Sequence, residues 1–145
     1  PLGQMGEEGD GDHEIERVVA ACDIATPVGL RDRAVLLLLA RLGLRAGDVV
    51  KLRLADIDWH AATLKVCGKG RRDVRLPLPQ DAGDAVLAYL QHTRPRVAID
   101  RVFLCLRAPH RPFRRSGTVS SIVSAALHRT GVCPTRSLGA KLLRH

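Results

Sequence analysis

The chain has 145 residues, of which 46% are apolar and only 3% aromatic, enough for one domain whose core must be built from Leu, Val, Ile and Ala. No apolar run approaches the roughly 20 residues of a membrane helix and no secretory signal is visible, so a soluble intracellular protein with no membrane partner is expected. Residues 1–16 hold six acids and no Lys or Arg, which leaves the remainder with 23 cations, 19 of them Arg, against nine acids; such a surplus attracts polyanions through counterion release, and the planar guanidinium suits phosphate oxygens.

In chain order, residues 1–12 are Gly- and acid-rich without periodicity and are expected to be a disordered tag or linker; Pro1-Leu2-Gly3 looks like the remnant of a tag-cleavage site. Ile15, Val18, Val19 and Cys22 recur at the spacing of one helix face. Thr26-Pro27-Val28-Gly29 reads as a break, and Arg31 to Leu42 as a second helix, apolar nearly all round from Val35 to Leu39 and so expected to run through the core. Gly43 stands where a left-handed residue commonly ends a helix. Ala46 to Leu52 reads as a short third helix.

A three-strand pattern follows. Asp56 to Trp59, Thr63 to Cys67 and Val74 to Leu78 are the expected strands, and alternation in the last two gives each one apolar and one polar face. Gly68-Lys69-Gly70 turns between them. Pro79 and Asp81 open a helix with Ala85, Val86, Tyr89 and Leu90 inward, closed by Pro95. Arg101 to Leu106 is a short extended segment, and Pro109 to Arg115 a basic loop. Ser116 is the expected N-cap of a helix through Arg129 that Gly131 ends. Leu138 to His145 reads as the start of a last helix. Cys22, Cys67, Cys105 and Cys133 are widely spaced, with no Cys-x-x-Cys pair and no His at ligand spacing, so they are expected as small core hydrophobes rather than zinc ligands or disulfides. No metal or cofactor is expected.

Three stretches carry cations at structural breakpoints: Gly43-Leu44-Arg45-Ala46-Gly47-Asp48 at a helix start, Gly68-Lys69-Gly70-Arg71-Arg72 at a hairpin tip, and Lys141-Leu142-Leu143-Arg144-His145 in the last helix. Singly each is ordinary. A Gly-Lys-Gly turn is commonly just a hairpin tip, and Asp48 sits where any helix favours an acid. In this order and at these spacings, across roughly residues 15 to 145, they resemble the catalytic domain of the tyrosine recombinases, the phage integrase family.

That resemblance implies an α+β fold, mainly helical around a three-stranded antiparallel sheet, and a parent protein active in site-specific DNA recombination or integration at a mobile element. It also implies double-stranded DNA as partner and a bacterial cytoplasmic, nucleoid-associated setting. Cleaving a phosphodiester needs a nucleophile, a proton donor for the leaving oxygen, and cations around a phosphoryl centre that gains charge. By resemblance Arg45 and Arg144 hold the nonbridging oxygens, Asp48 braces Arg45, Lys69 protonates the 5′ leaving oxygen, and Lys141 adds a phosphate contact where most relatives with this Leu-Arg-His ending carry His. Arg71, Arg72, Arg111, Arg114 and Arg115 are expected on the DNA backbone. The family's tyrosine falls after these motifs, so residues 13–145 are expected to be a partial catalytic domain, inactive as it stands; a catalytically inactive DNA-binding module is the alternative. Tyr89 precedes Arg144 and sits at apolar spacing, so it is expected in the core. An exposed apolar patch near Leu138, Leu142 and Leu143, with self-association through that face, is also expected.

Overall fold

The computed structural model describes residues 13–68, 70, 72–131 and 142. Helix α1 covers residues 13–20, α2 Pro27–Leu42 and α3 Ala46–Lys51, followed by a 3-10 turn at Leu54–Asp56. Strands β1 (Ile57–Asp58), β2 (Thr63–Cys67) and β3 (Asp73–Pro77) lead into α4 (Gln80–His92) and α5 (Ser116–Thr130). The architecture is the expected α+β one, with helices around an antiparallel sheet of order β1-β2-β3.

The apolar faces read from periodicity are the buried ones. Ile15, Val18, Val19 and Cys22 pack inward, and Ala34 through Leu39 are all at most 2% exposed, which makes α2 the central helix. It lies along α4, while α3 packs on α5. Helix α2 begins four residues before the expected Arg31. The Thr26 side chain accepts the Gly29 N–H at 3.0 Å, and Pro27 takes the first helical position, where a missing N–H costs nothing. What reads as a break is therefore a helix start. Gly43 closes α2 with φ 67°, and its N–H donates to the Leu39 carbonyl at 3.1 Å.

Tyr89 is fully buried on α4, as expected. Its ring stacks on Phe103 at 5.1 Å between centroids, and Phe103 stacks on Phe113 at 6.2 Å, so three of the four aromatic side chains form one row. Arg31 lies over the end of that row, 5.7 Å from the Phe113 centroid. Arg31 also donates through Nε and Nη2 to Oδ1 of the buried Asp32, whose other oxygen lies 4.0 Å from Nη1 of Arg129 on α5. Arg41 joins three helices in the same way: Nε donates to Asp81 at 2.9 Å on α4, and Nη2 to Glu16 on α1.

Strand β2 spans Thr63–Cys67 as expected, whereas β1 is shorter and β3 is shifted by one residue. Asp56 belongs to the 3-10 turn and Trp59 to the turn after β1, while β3 starts at Asp73 and ends at Pro77. The β2–β3 register pairs Leu64 with Leu76, Lys65 with Arg75 and Cys67 with Asp73. Leu64 is buried in the core, but Val74 is 41% exposed and Cys67 is exposed as well. The ribbon runs out past the core at its turn end, so alternation there does not decide burial, and Cys67 is not the core hydrophobe expected. Ser116 is the first residue of α5 rather than its cap; Arg115 holds the cap position without a side-chain cap bond, and Gly131 ends the helix at φ 64° as expected. Of the three leucines expected on an exposed patch, Leu142 is the one described, and at 4% exposure it belongs to the core. Residues 1–12, Cys133, Leu138 and Leu143 lie outside the described residues.

Candidate nucleic-acid interface

The turn from α2 into α3 sets the first cation. Gly43 reverses the chain, Leu44 is buried, and Arg45 takes the N-cap position of α3 with an extended backbone, φ −82° and ψ 157°. Asp48 accepts the Arg45 backbone N–H on Oδ2 at 2.9 Å, which satisfies a donor that α3 itself cannot. That bond holds the backbone that presents Arg45. The guanidinium of Arg45 is exposed and takes part in no ion pair or hydrogen bond among the described residues. It stands at the mouth of a groove of about 290 Å³ whose walls include Asp48, Cys67, Gly68 and Val74.

That groove brings the second stretch to the first. The β2–β3 hairpin is closed by the Gly68 N–H donating to the Arg72 carbonyl at 2.7 Å. A Cβ on Gly68 would come within 2.7 Å of Val74 Cγ2, and Gly70 has φ +76°, so two glycines are needed at the tip for different reasons. The flank of the hairpin therefore faces Arg45 across the groove. Lys69, Arg71, Lys141 and Arg144 lie outside the described residues; Arg72 is exposed beside the tip.

A second basic region lies beyond α3. The segment around Arg101 pairs with the chain after α3: Arg53 and Arg101 form an antiparallel bridge, and the Val102 N–H donates to the Leu52 carbonyl at 3.0 Å. The loop expected at 109–115 folds back on the same segment, with the Cys105 N–H donating to the Arg111 carbonyl at 2.7 Å. His110 holds this turn through an Nδ1 contact to the Cys105 carbonyl at 3.1 Å. Arg111, Arg114 and Arg115 are all exposed.

Three features escaped sequence reasoning. Arg53 and Asp56 repeat the Arg45–Asp48 cap, with the Arg53 N–H donating to Asp56 Oδ2 at 2.9 Å; the shared Leu-Arg-x-x-Asp spacing of Leu44–Asp48 and Leu52–Asp56 is a signal that could have shown it. Arg94 donates to the carbonyls of Pro95, Ile99, Arg101 and Val102 at 2.7 to 3.3 Å, pinning the segment that carries Arg101 to the end of α4. Lys51 and Arg101 line one groove with Arg111 and Arg114, and nothing in the sequence places them together. Between the two basic regions the surface is mixed: Lys65, itself half-buried, sits 3.8 Å from the half-buried Asp56 and 3.9 Å from the exposed Asp73. Among the described residues no three His, Cys, Asp or Glu side chains gather as a metal site would need, and no helix is long and apolar enough to cross a membrane.

Residues 11–145 match the family model described as the phage integrase family. A Sinorhizobium fredii (strain NBRC 101917 / NGR234) protein named as an integrase/recombinase, y4rA, is 46% identical over 136 residues, which is 93% of this chain and 32% of that protein. A second from the same strain, y4rF, is 41% identical over 91% of this chain and 31% of its own length, so the chain spans about a third of these two relatives. The tyrosine recombinase XerD of Lacticaseibacillus casei is 42% identical over 84 residues, 58% of this chain and 29% of XerD. Among solved structures, the XerA recombinase superposes with a TM-score of 0.70 at 23% identity, over 83% of this chain and 42% of XerA. The integrase from mycobacterium phage Brujita gives 0.62 at 24% identity, over 88% of this chain and 39% of the integrase. At such identities these two structures show a shared fold.

Proposed function

Because this chain belongs to the phage integrase family, the tyrosine recombinases, we propose that it supplies the phosphate-holding part of a site that cuts and rejoins double-stranded DNA. The observation that carries the reading is Arg45. Its backbone is fixed by Asp48, its guanidinium is unpaired among the described residues, and the hairpin flank at Gly68 faces it across one groove. An exposed fork of donors with no carboxylate partner is suited to a phosphate.

On this reading Arg45 and Arg144 hold the nonbridging oxygens of the scissile phosphate, and Lys141 adds a contact. A tyrosine oxygen forms the new bond to phosphorus as the bond to the 5′-oxygen breaks, and Lys69 gives that oxygen its proton. The product is a 3′-phosphotyrosine, and attack by a 5′-hydroxyl reverses the step. Tyr89, the single tyrosine of the 145 residues, is ill suited to attack: it is 0% exposed and its hydroxyl accepts the Leu104 N–H at 3.1 Å. The nucleophile is then a tyrosine from outside these residues. Arg71, Arg72, Arg111, Arg114 and Arg115 track the flanking backbone. The proposed partner is duplex DNA and the proposed setting the bacterial nucleoid. Self-association at residues 138–143 is part of the proposal only through Leu138 and Leu143, given that Leu142 is buried.

Duplex binding in 50 mM salt tests the reading. The expected result is binding whose log affinity falls linearly with log salt, weakened about tenfold by Arg45→Ala. In the full-length protein, a duplex nicked beside the cut site is expected to leave a detergent-resistant protein–DNA adduct that Arg45→Ala abolishes. Binding without an adduct identifies a DNA-binding module; absence of binding overturns the proposal.

A further inference from the structure

Lys51 and Arg101 are 50 positions apart in sequence and meet in one groove with Arg111 and Arg114, and we propose that this groove is a second DNA-phosphate site, distinct from the one at Arg45. The inference rests on the DNA reading above and adds to it two residues, and a convergence, that the motifs do not contain.

The groove has a volume of about 520 Å³ and an uncharged floor of Val50, Pro112 and Phe113, and no carboxylate lines it. Four cations surround that floor. None of the four forms an ion pair among the described residues, and three of them, Lys51, Arg111 and Arg114, are exposed. The neighbouring acid, Asp100, is engaged by Arg53 at 3.5 Å and does not line the groove. Like charges gathered without counter-charge repel one another, and an anion of compact charge relieves the repulsion.

The groove is also built rather than assembled from loose side chains. Arg101 donates through Nη1 to the Val50 carbonyl near the end of α3 at 3.4 Å, and its backbone is bridged to Arg53. Pro112 pairs with Leu104, Phe113 is buried in the aromatic row, and Arg94 donates to the carbonyls of Ile99, Arg101 and Val102. The platform is therefore fixed before any ligand arrives, which lowers the ordering cost of binding.

Position selects the ligand. Lys51 follows Arg45 by six residues along α3, an axial rise of about 9 Å, a separation that one nucleic-acid backbone can span. Lys51 also borders a groove of about 430 Å³ that shares Asp48, Val66 and Cys67 with the Arg45 groove. That intervening groove also carries Asp56 and Asp73, so a polyanion held at Arg45 reaches the second site by spanning this mixed surface rather than by lying in it. A polymer with evenly spaced phosphates satisfies both; an isolated anion satisfies one.

The test compares salt slopes of duplex binding. Lys51→Gln with Arg111→Gln removes two cations whose side chains make no hydrogen bond among the described residues, so the fold and melting temperature are expected to hold. The log–log slope is expected to fall by about two, with equal loss on unrelated duplex sequences. Arg17→Gln with Arg96→Gln, exposed cations that line neither groove, is expected to change the slope by less than half as much. An unchanged slope in the Lys51/Arg111 pair, with Arg45→Ala still weakening binding, overturns the second site alone. Failure of the unaltered chain to bind duplex overturns both proposals.

Discussion

Replacing Tyr89 by Phe separates two roles that a lone tyrosine in a recombinase-family chain invites. The ring is fully buried, stacked 5.1 Å from Phe103, and Phe keeps that packing unchanged. What is lost is one oxygen, which accepts the backbone N–H of Leu104 at 3.1 Å in the interior. A buried donor left without an acceptor costs about 1–3 kcal/mol, which for a chain of this size lowers the melting temperature by roughly 4–10 °C. Burial also raises the phenol pKa above its ordinary value of 10.0, only partly offset by the Leu104 hydrogen bond. Above pH ~10 the unfolded chain releases a proton that the folded chain retains, so stability falls with rising pH at up to about 1.4 kcal/mol per unit. The Phe variant lacks that contribution, so the gap between the two proteins should narrow as pH climbs past 10. Thermal and urea unfolding at pH 7, 9 and 10.5 measure both effects. Duplex binding at 20 °C is expected to be unchanged. A variant that melts like the parent refutes the hydrogen-bond argument, and one that melts as predicted but loses DNA binding or adduct formation refutes the placement of Tyr89 in the core alone.

Two further substitutions address the supports of the basic surface. Asp48→Ala removes the acceptor of the Arg45 N–H and is expected to cost about 1 kcal/mol in urea unfolding, while Asp48→Asn, whose amide oxygen can accept the same bond, recovers most of it; equal losses in both would show that charge rather than capping matters. Arg94→Lys keeps the charge but not the fork that reaches four carbonyls. A loss of about 3 kcal/mol is expected, and a stability within 0.5 kcal/mol of the parent, as ~0.5 kcal/mol is the scatter of ordinary surface changes, would remove Arg94 from the account of how Arg101 is held.

How much of this was legible follows from where each signal resides. Ile15, Val18, Val19 and Cys22 announce a buried face because helical periodicity is local, and Val35 to Leu39 announce a central helix because an all-apolar turn has no solvent side to offer. Gly43 and Gly131 were readable for the same reason: a left-handed residue ends a helix within one turn. Thr26-Pro27 carries both a stop and a start signal, and only the Thr26–Gly29 bond decides between them. Val74 and Cys67 depart from the pattern because alternation reports pleat, while burial depends on how far the ribbon extends beyond the core.

The site divides along the same line. The pairing of Asp48 with Arg45 comes from the resemblance, and the cap between residues three apart is what the structure adds to it. The roles carried to Lys69, Lys141 and Arg144 rest on resemblance, because no local pattern distinguishes a phosphate-holding cation from a solvated one. Lys51 and Arg101 show the remaining limit. Their meeting depends on a two-residue bridge between Arg53 and Arg101, on Arg94 gathering carbonyls up to eight residues away, and on Phe113 seating the basic loop. Each of those is a tertiary contact that leaves no mark on neighbouring sequence. A charge surplus therefore suits a polyanion, but the path proposed for it depends on which cations the core brings to one surface without a carboxylate between them. At Lys51, Arg101, Arg111 and Arg114 that condition is met, and in the mixed groove at Asp56, Lys65 and Asp73 it is not.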